Sequence, residues 1–221
     1  MPLTRLDRLL KRTLPMGRIE PCVLPSCPEI TLGLISADFP LGPLPPDVVR
    51  QVINEPAYWA LCWGSGLALA RWLLDRPERV RDRQVLDLGS GSGVVAVAAA
   101  LAGARRVIAC DTDPAARQAT RTNAALNGVA IEVVASLDEA PRDNDLLLMA
   151  DVLYDRSNLP LLEQAARYAR EVLVADSRIA QLPDPAYRPI GEIDASTYPN
   201  LGEFDEFRTV RLFHRGAACD G

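Results

Sequence analysis

Apolar and polar positions follow two different periods along this chain, and each change of period marks an element. Short, nearly continuous apolar runs occur at Gln84–Leu88, Arg106–Cys110, Ile131–Ala135, Asp145–Ala150 and Glu171–Ala175. Runs of that length bounded by turn residues predict strands buried on both faces. Between them, Gly93–Ala102, Ala115–Asn127 and Asn158–Ala169 carry apolar residues at helical spacing. Gly128 suits the C-terminal cap of the second of these helices. Strand–helix alternation of this length implies a parallel sheet with helices on both faces. The pattern then breaks: Tyr187–Ile193 and Glu206–Phe213 both read as strands, separated by the polar loop Asp194 to Asp205. Two adjacent strands fit an antiparallel pair closing the sheet edge, which makes seven strands in all.

The first fifty residues read differently. Pro15, Pro21, Pro25, Pro28, Pro40, Pro43, Pro45 and Pro46 crowd this stretch, and such density prevents long helices. It predicts a short helix, one strand around Glu29 to Ser36, and then an extended segment over the domain. Asp47 to Asn54 predicts a helical turn, and Ala60 to Leu74 a helix. The expected organisation is an N-terminal extension over 1–50, one domain over 51–215 and a flexible tail over 216–221.

Chemistry enters at Val85-Leu-Asp-Leu-Gly-Ser-Gly-Ser-Gly93, which places glycines at alternate positions and an acid two residues before the first. Strand, glycine turn and helix in that order make a nucleotide-cofactor site, because the turn lets a ligand lie against bare backbone. A dinucleotide fingerprint counted from Gly89 needs glycine at 94, and the residue is Val94. The run instead resembles motif I of the class I S-adenosylmethionine-dependent methyltransferases. That resemblance implies an α/β, Rossmann-like, seven-stranded mostly parallel sheet with an antiparallel C-terminal strand. It also implies S-adenosyl-L-methionine as cofactor. The cationic methionine part of that cofactor needs carboxylate and carbonyl groups nearby, and Asp87 stands at the strand end to help. Asp111 ends the second strand about 20 residues past the glycines, where such folds bind a ribose diol. Asp113 with Pro114 reads as the cap of the next helix.

Composition removes several classes. The chain of 221 residues has a net charge of -5 and a pI near 5.0, so no global basic field invites nucleic acid. Cys22, Cys27, Cys62, Cys110 and Cys219 have no regular spacing, and His214 is the only histidine. Neither a disulfide framework nor a zinc site is expected. Cys110 reads as a small core residue, His214 as a surface residue and Arg76 to Arg83 as a solvated loop. No run approaches the ~20 apolar residues of a membrane span. Thr4 to Leu14 alternates Arg and Leu at helical spacing without a secretory core. Its arginines also suit a mitochondrial presequence, against which Asp7 and Pro15 argue. A cytoplasmic monomer is expected.

A second motif, Met149-Ala-Asp-Val-Leu-Tyr-Asp155, lies at the end of the fourth strand, where open parallel sheets bind ligands. Its D-V-L-Y resembles the D-x-x-Y signature of the seven-β-strand protein lysine methyltransferases. Glu55-Pro-Ala-Tyr-Trp-Ala-Leu-Cys-Trp63 with Gly64-Ser-Gly66 is similar to the aromatic segment that precedes motif I in that family. The likeness runs from Cys27 to Phe213. It extends to the lysine methyltransferases of the electron transfer flavoprotein β-subunit and their bacterial homologues. It implies that Trp63, Asp87, Gly89, Ser90, Gly91, Gly93, Asp111 and Thr112 serve the cofactor. Ala150 would offer backbone at its edge and Ser136 would sit near the adenine. Leu137 stands where some relatives place an aromatic. Asp151 and Tyr154 would face the target amine as the catalytic pair.

Plainer roles remain open. Asp151 could cap the helix after the fourth strand, and Tyr154 could be core-edge packing. Tyr58, Trp59 and Trp63 could be helix packing, with one or two of them walling the cofactor. Asp155 reads as a turn residue or cap. Glu55 could bind the methionine amino group or be a solvated acid. The leading expectation is a protein-lysine N-methyltransferase whose protein substrate is the flavoprotein β-subunit. A second is a small-molecule N-methyltransferase with the proline-rich segment as lid. A third is a flavoprotein-binding module without turnover.

Overall fold

The computed structural model describes residues 2–40, 42–201 and 208–216. The chain opens with helix α1 (Pro2–Thr13) and the hairpin β1 (Ile19–Leu24) and β2 (Cys27–Ile35). Helices α2 (Pro46–Asn54) and α3 (Gly64–Asp75) follow. Then come β3 (Gln84–Leu88), α4 (Val94–Leu101), β4 (Arg106–Cys110), α5 (Pro114–Leu126), β5 (Glu132–Val134) and β6 (Asn144–Ala150). Helix α6 (Leu161–Tyr168) and strands β7 (Ala169–Asp176), β8 (Arg188–Asp194) and β9 (Thr209–Arg215) complete the order.

The apolar runs form one seven-stranded sheet in the order β5-β4-β3-β6-β7-β9-β8. Its five inner-sequence strands pair in parallel, and β9 runs against both its neighbours, β7 and β8. The two-residue strand period divides the core. Val85, Leu146, Leu148 and Leu173 face α3, α4 and the hairpin. Leu86, Leu88, Leu147 and Met149 face α6. Helix α4, Val-Val-Ala-Val-Ala-Ala-Ala-Leu, is buried from Val94 to Ala99. An all-apolar helix is stable only in such a place, between another helix and a sheet.

Several expectations need correction. The N-terminal stretch contains two strands, not one. Pro21 sits in β1, which pairs only with β2 and so spares an unneeded donor. Asp47 to Asn54 belongs to a nine-residue helix rather than one turn. The helix expected over Ala60 to Leu74 is present as α3 but starts four residues later, at Gly64, and a separate 3-10 turn occupies Tyr58–Ala60. Cys62 exchanges 2.8 Å backbone hydrogen bonds with Tyr198 in both directions, and a backbone so paired cannot be helical. Pro160 precedes α6, and a separate 3-10 turn occupies Arg156–Asn158. The strand expected at Glu206 begins, in the described part, at Thr209; residues 206 and 207 and the tail beyond 216 lie outside the described residues.

His214 is buried, 2.9 Å from Glu171, because β9 lies inside the sheet and not at its edge. Arg76 to Arg83 is only in part the solvated loop expected: Arg76, Glu78, Arg81 and Asp82 are exposed, but Pro77–Arg79 form a 3-10 turn and Val80 is buried. Arg83 donates to Asp145 O at 2.7 Å and to Glu171 at 2.6 Å. Arg76 and Arg79 lie over the Trp72 ring at 5.2 and 5.6 Å. Cys110 is a core residue as read.

Candidate active site

The carboxyl ends of β3, β4 and β6 open into a cavity of about 680 Å³. Its base is the glycine turn. Gly89, Gly91 and Gly93 have φ values of 76°, 52° and 82°, a region costly to residues with a Cβ. The three glycines answer different needs. A Cβ on Gly93 would lie 3.0 Å from Thr120 and one on Gly89 would lie 2.6 Å from Val152 Cγ2. A Cβ on Gly91 would meet nothing nearer than a carbonyl at 4.0 Å. The outer two therefore permit packing, while the middle one leaves open space against the cavity.

Of the residues expected to serve the cofactor, Trp63, Gly89, Gly91, Asp111, Thr112, Ser136 and Ala150 line this cavity, together with Asp151 and Tyr154. Asp87, Ser90 and Gly93 do not line it. Asp87 is fully buried and its Oδ2 accepts the Ala96 N–H at 3.1 Å. Gly93, the N-cap residue of α4, has no side chain to offer, so Asp87 supplies the missing acceptor from the strand. Burial pushes the Asp87 carboxyl up to about 7. Ser90 Oγ is 3.1 Å from Thr120 Oγ1, tying the turn to α5.

Asp111 receives the Gly91 N–H on Oδ2 and the Asp113 N–H on Oδ1, each at 2.9 Å. Burial raises its carboxyl. The carboxylate is thus oriented by backbone and keeps lone pairs for a ligand diol. The neighbouring acid has the other role: Asp113 accepts the Ala115 N–H at 2.7 Å and caps α5, with Pro114 in its first turn.

Asp151 stands at the end of β6 with φ 52°. Its Oδ1 accepts the Ser65 hydroxyl at 2.6 Å and its Oδ2 the Ser65 N–H at 3.0 Å. It therefore caps a helix, but α3 and not the helix that follows β6. Thr197 Oγ1 accepts the Gly64 N–H at 3.3 Å, so two distant side chains share the start of α3. Burial pushes the Asp151 carboxyl up to about 6, with Asp176 adding to the rise and Ser65 opposing it. Asp155, as read, caps the 3-10 turn through Ser157.

Four aromatic residues join Asp151 on the cavity wall: Tyr58, Trp59, Trp63 and Tyr154. Tyr58 lies with its ring centroid 5.7 Å from Trp63 and 5.6 Å from Tyr154. The Trp63 indole N–H donates to Tyr58 O at 2.9 Å. Trp59 is buried against α1 and α5. Glu55 does not line the cavity. Sequence reasoning missed Ser65, Thr197, Asn158 and Arg178. Asn158 holds Val152 O at 2.8 Å, and Arg178 is a cationic side chain on the wall. Gly64-Ser-Gly66 was the one visible signal among these, and it names no partner for the serine.

A family profile described as Ribosomal protein L11 methyltransferase (PrmA) matches residues 69–167. The electron transfer flavoprotein beta subunit lysine methyltransferase of Homo sapiens is 39% identical over 133 residues, 56% of this chain and 50% of that protein. Its namesake in Xenopus laevis is 35% identical over 167 residues, 71% of this chain and 66% of that protein. The chain spans about half the length of the Homo sapiens, Rattus norvegicus and Danio rerio relatives it matches. Among solved structures, a ribosomal protein L11 methylase of Lactobacillus delbrueckii subsp. bulgaricus superposes with a TM-score of 0.52 at 25% identity. That superposition covers 68% of this chain and 77% of the other. The sheet order, the cavity beyond its carboxyl edge and these likenesses agree on one family. The chain belongs to the class I, seven-β-strand S-adenosylmethionine-dependent methyltransferases.

Proposed function

We propose that this chain methylates a lysine side chain of a protein, and that the protein is the β-subunit of electron transfer flavoprotein. One observation carries the reading: the D-V-L-Y segment sets Asp151 and Tyr154 on the same cavity wall as Gly91 and Asp111. The relatives named for methylating that subunit support the substrate.

The cavity suits the cofactor. Its volume of about 680 Å³ falls within the usual ~300–1,000 Å³ of small-ligand sites. Asp111, Asp113, Asp138 and Asp151 line it against the single cationic side chain of Arg178 among the described residues, a balance that favours a cationic ligand. Bound there, S-adenosylmethionine supplies a methyl group activated by its sulfonium. Asp111 would accept the ribose hydroxyls, and the bare backbone of Gly89 and Gly91 would lie along the ligand. Trp63, Thr112 and the Ala150 backbone would flank it, with Ser136 and Leu137 towards the adenine. Asp87, Ser90 and Gly93 hold the turn in shape from behind.

The attacking amine must be neutral, and a free lysine has a pKa near ~10.4. A dry approach lowers that value by disfavouring the charged form. A carboxylate acts the other way, so Asp151 docks and orients the ammonium. Its raised pKa, about 6, makes it a better acceptor for the departing proton than an ordinary carboxylate. Tyr154 packs along the lysine stem. Tyr58 and Tyr154 are 45% and 52% exposed, and an open mouth of this kind suits a side chain presented by a protein surface. No helix among the described residues is long and apolar enough to cross a membrane. Free thiols at Cys22, Cys27, Cys62 and Cys110 suit a cytoplasmic setting.

The test is transfer of labelled methyl to purified electron transfer flavoprotein and to a cell lysate, with Asp151→Ala as control. Label on the flavoprotein β-subunit, mapped to lysine and reduced roughly 100-fold in the variant, is the expected result. Label confined to another protein would remove the substrate but keep the activity. Label in small molecules alone would overturn the reading.

A further inference from the structure

Large aromatic rings are seldom left half-exposed beside one another, yet Tyr58 and Tyr154 are both so placed at the cavity mouth. Neither phenol oxygen is hydrogen-bonded within the described residues. Their rings meet at 60°, and Tyr58 meets Trp63 at 69°. Rings at such angles form a corner, not a stack, and a corner offers more than one π face to a single cation. The surrounding wall carries Asp111, Asp138 and Asp151, which adds to the attraction for positive charge.

We propose that Tyr58 is a substrate-binding residue, forming with Tyr154 and Trp63 an aromatic corner that receives the lysine ammonium and, above all, its methylated forms. The proposal rests on the lysine methyltransferase reading and sharpens it. Asp151 and the rings recognise the amine differently. Asp151 needs N–H donors, and each methyl added to the nitrogen removes one. The rings need only charge and apolar surface, and each methyl leaves the charge in place and adds surface. Tyr58 therefore matters less for the first transfer than for any later one. The backbone supports a clean test, because the Trp63 indole N–H is held by Tyr58 O and not by the Tyr58 side chain. Replacing the ring leaves that bond available.

Three proteins would be compared: the unaltered chain, Tyr58→Phe and Tyr58→Leu. Leucine keeps an apolar side chain and removes the π face. The first readout is binding of Nα-acetyl-Nε-trimethyllysine amide, followed by NMR, against its uncharged carbon isostere. The expected result is preference for the charged probe, weakened roughly fivefold in Tyr58→Leu and largely retained in Tyr58→Phe. The second readout is the methylation state of the product by mass spectrometry, with KM for unmodified and monomethylated substrate. Tyr58→Leu should accumulate monomethyl-lysine and raise KM for the monomethylated substrate more than for the unmodified one. The third is S-adenosylmethionine affinity, expected to be unchanged.

Failures separate cleanly. If the unaltered chain methylates lysine but Tyr58→Leu gives the same products, KM values and probe binding, the aromatic corner is refuted and the activity stands. A parallel loss of S-adenosylmethionine affinity in Tyr58→Leu would make Tyr58 a cofactor wall and also refute it. If no lysine is methylated by any of the proteins, the activity reading falls. A charge preference lost in Tyr58→Leu would then still support the corner as a cation site, and an absent preference would overturn it.

Discussion

Asp87 and Asp111 end adjacent strands and look alike in the sequence, yet their surroundings give them opposite tasks. Asp111 is oriented by Gly91 and Asp113 at the cavity wall. Asp87 points under the turn to Ala96 and sees no solvent. The sequence located both acids correctly as strand-end carboxylates, because an acid after an apolar run has few other places to be. It could not separate wall from support, since that depends on the fold of the turn between them. The pairing of Asp151 with Ser65 was equally hidden, because it joins the first turn of α3 to the residue after β6, far apart in the chain. Burial raises Asp87 to about 7 from an unfolded value near ~3.9. A carboxyl raised on folding stabilises fully below its unfolded pKa, and that contribution is lost as pH rises through the folded value. The cofactor-free protein should therefore lose stability between about pH 4 and 7. Asp87→Asn, which can still accept the Ala96 N–H, should flatten that slope by roughly 2–4 kcal/mol. Urea unfolding of both proteins across this range checks the sign. A slope unchanged by the substitution would mean that Asp87 does not titrate there.

Among the elements, α5 joins parts that the sequence presents as separate. Asn123 is fully buried on this helix. Its Oδ1 accepts the Gly33 N–H of β2 at 2.7 Å, and its Nδ2 donates to Ser92 O in the glycine turn at 2.8 Å. Four residues on, Asn127 accepts the Thr31 N–H and donates to Thr31 O, at 2.9 and 2.7 Å. Its amide thus pairs with β2 as a peptide group of a neighbouring strand would. Helical periodicity found α5, but asparagine in a helix carries no sign of which partner it serves. β1 was missed for a related reason: Pro21 and Glu20 break the apolar alternation that marks a strand, and only the partner strand reveals it. The two asparagines should behave differently on removal. Asn123→Ala leaves Gly33 N–H and Ser92 C=O unpaired in a buried place and should cost roughly 2–4 kcal/mol. It should also weaken S-adenosylmethionine binding, because Ser92 sits between two of the turn glycines. Asn127→Ala should lower the melting temperature without changing cofactor affinity. Thermal denaturation together with calorimetric titration of the cofactor distinguishes the two. Equal affinities in both variants would show that α5 does not hold the turn in its binding shape.

Over the whole molecule, the sheet was the most legible feature. Strands buried on both faces are written as continuous apolar runs, and the glycine turn fixes where the first crossover begins. The reversed position of β9 between β7 and β8 was read only as an antiparallel pair, since an edge strand and an inserted strand share the same alternation. The proline-rich start was the least legible. It reads as a cover laid over a finished domain, but its side chains enter the domain's own core. Leu24, Cys27, Ile30, Leu32 and Leu34 pack with α3 and α4 in the largest apolar cluster. Leu6, Leu10, Ile19 and Ile35 pack with Trp59, Ala116 and Ala119 beside the cavity. Each of these buried aliphatic side chains is worth about 2 kcal/mol, against a net stability of roughly 5–15 kcal/mol for a typical domain. Losing even half of them removes the margin. A chain starting at residue 41 should therefore not behave as a smaller methyltransferase domain. It should bind a hydrophobic dye, lose its near-ultraviolet circular dichroism and fail to bind S-adenosylmethionine. Removing only residues 1–13 takes away Leu6 and Leu10 but leaves the hairpin in place, so that chain should fold cooperatively at a lower melting temperature. If the chain starting at residue 41 unfolds in one cooperative transition with cofactor affinity intact, the extension is a separable cover. The core of the molecule would then lie wholly within the alternating strands and helices.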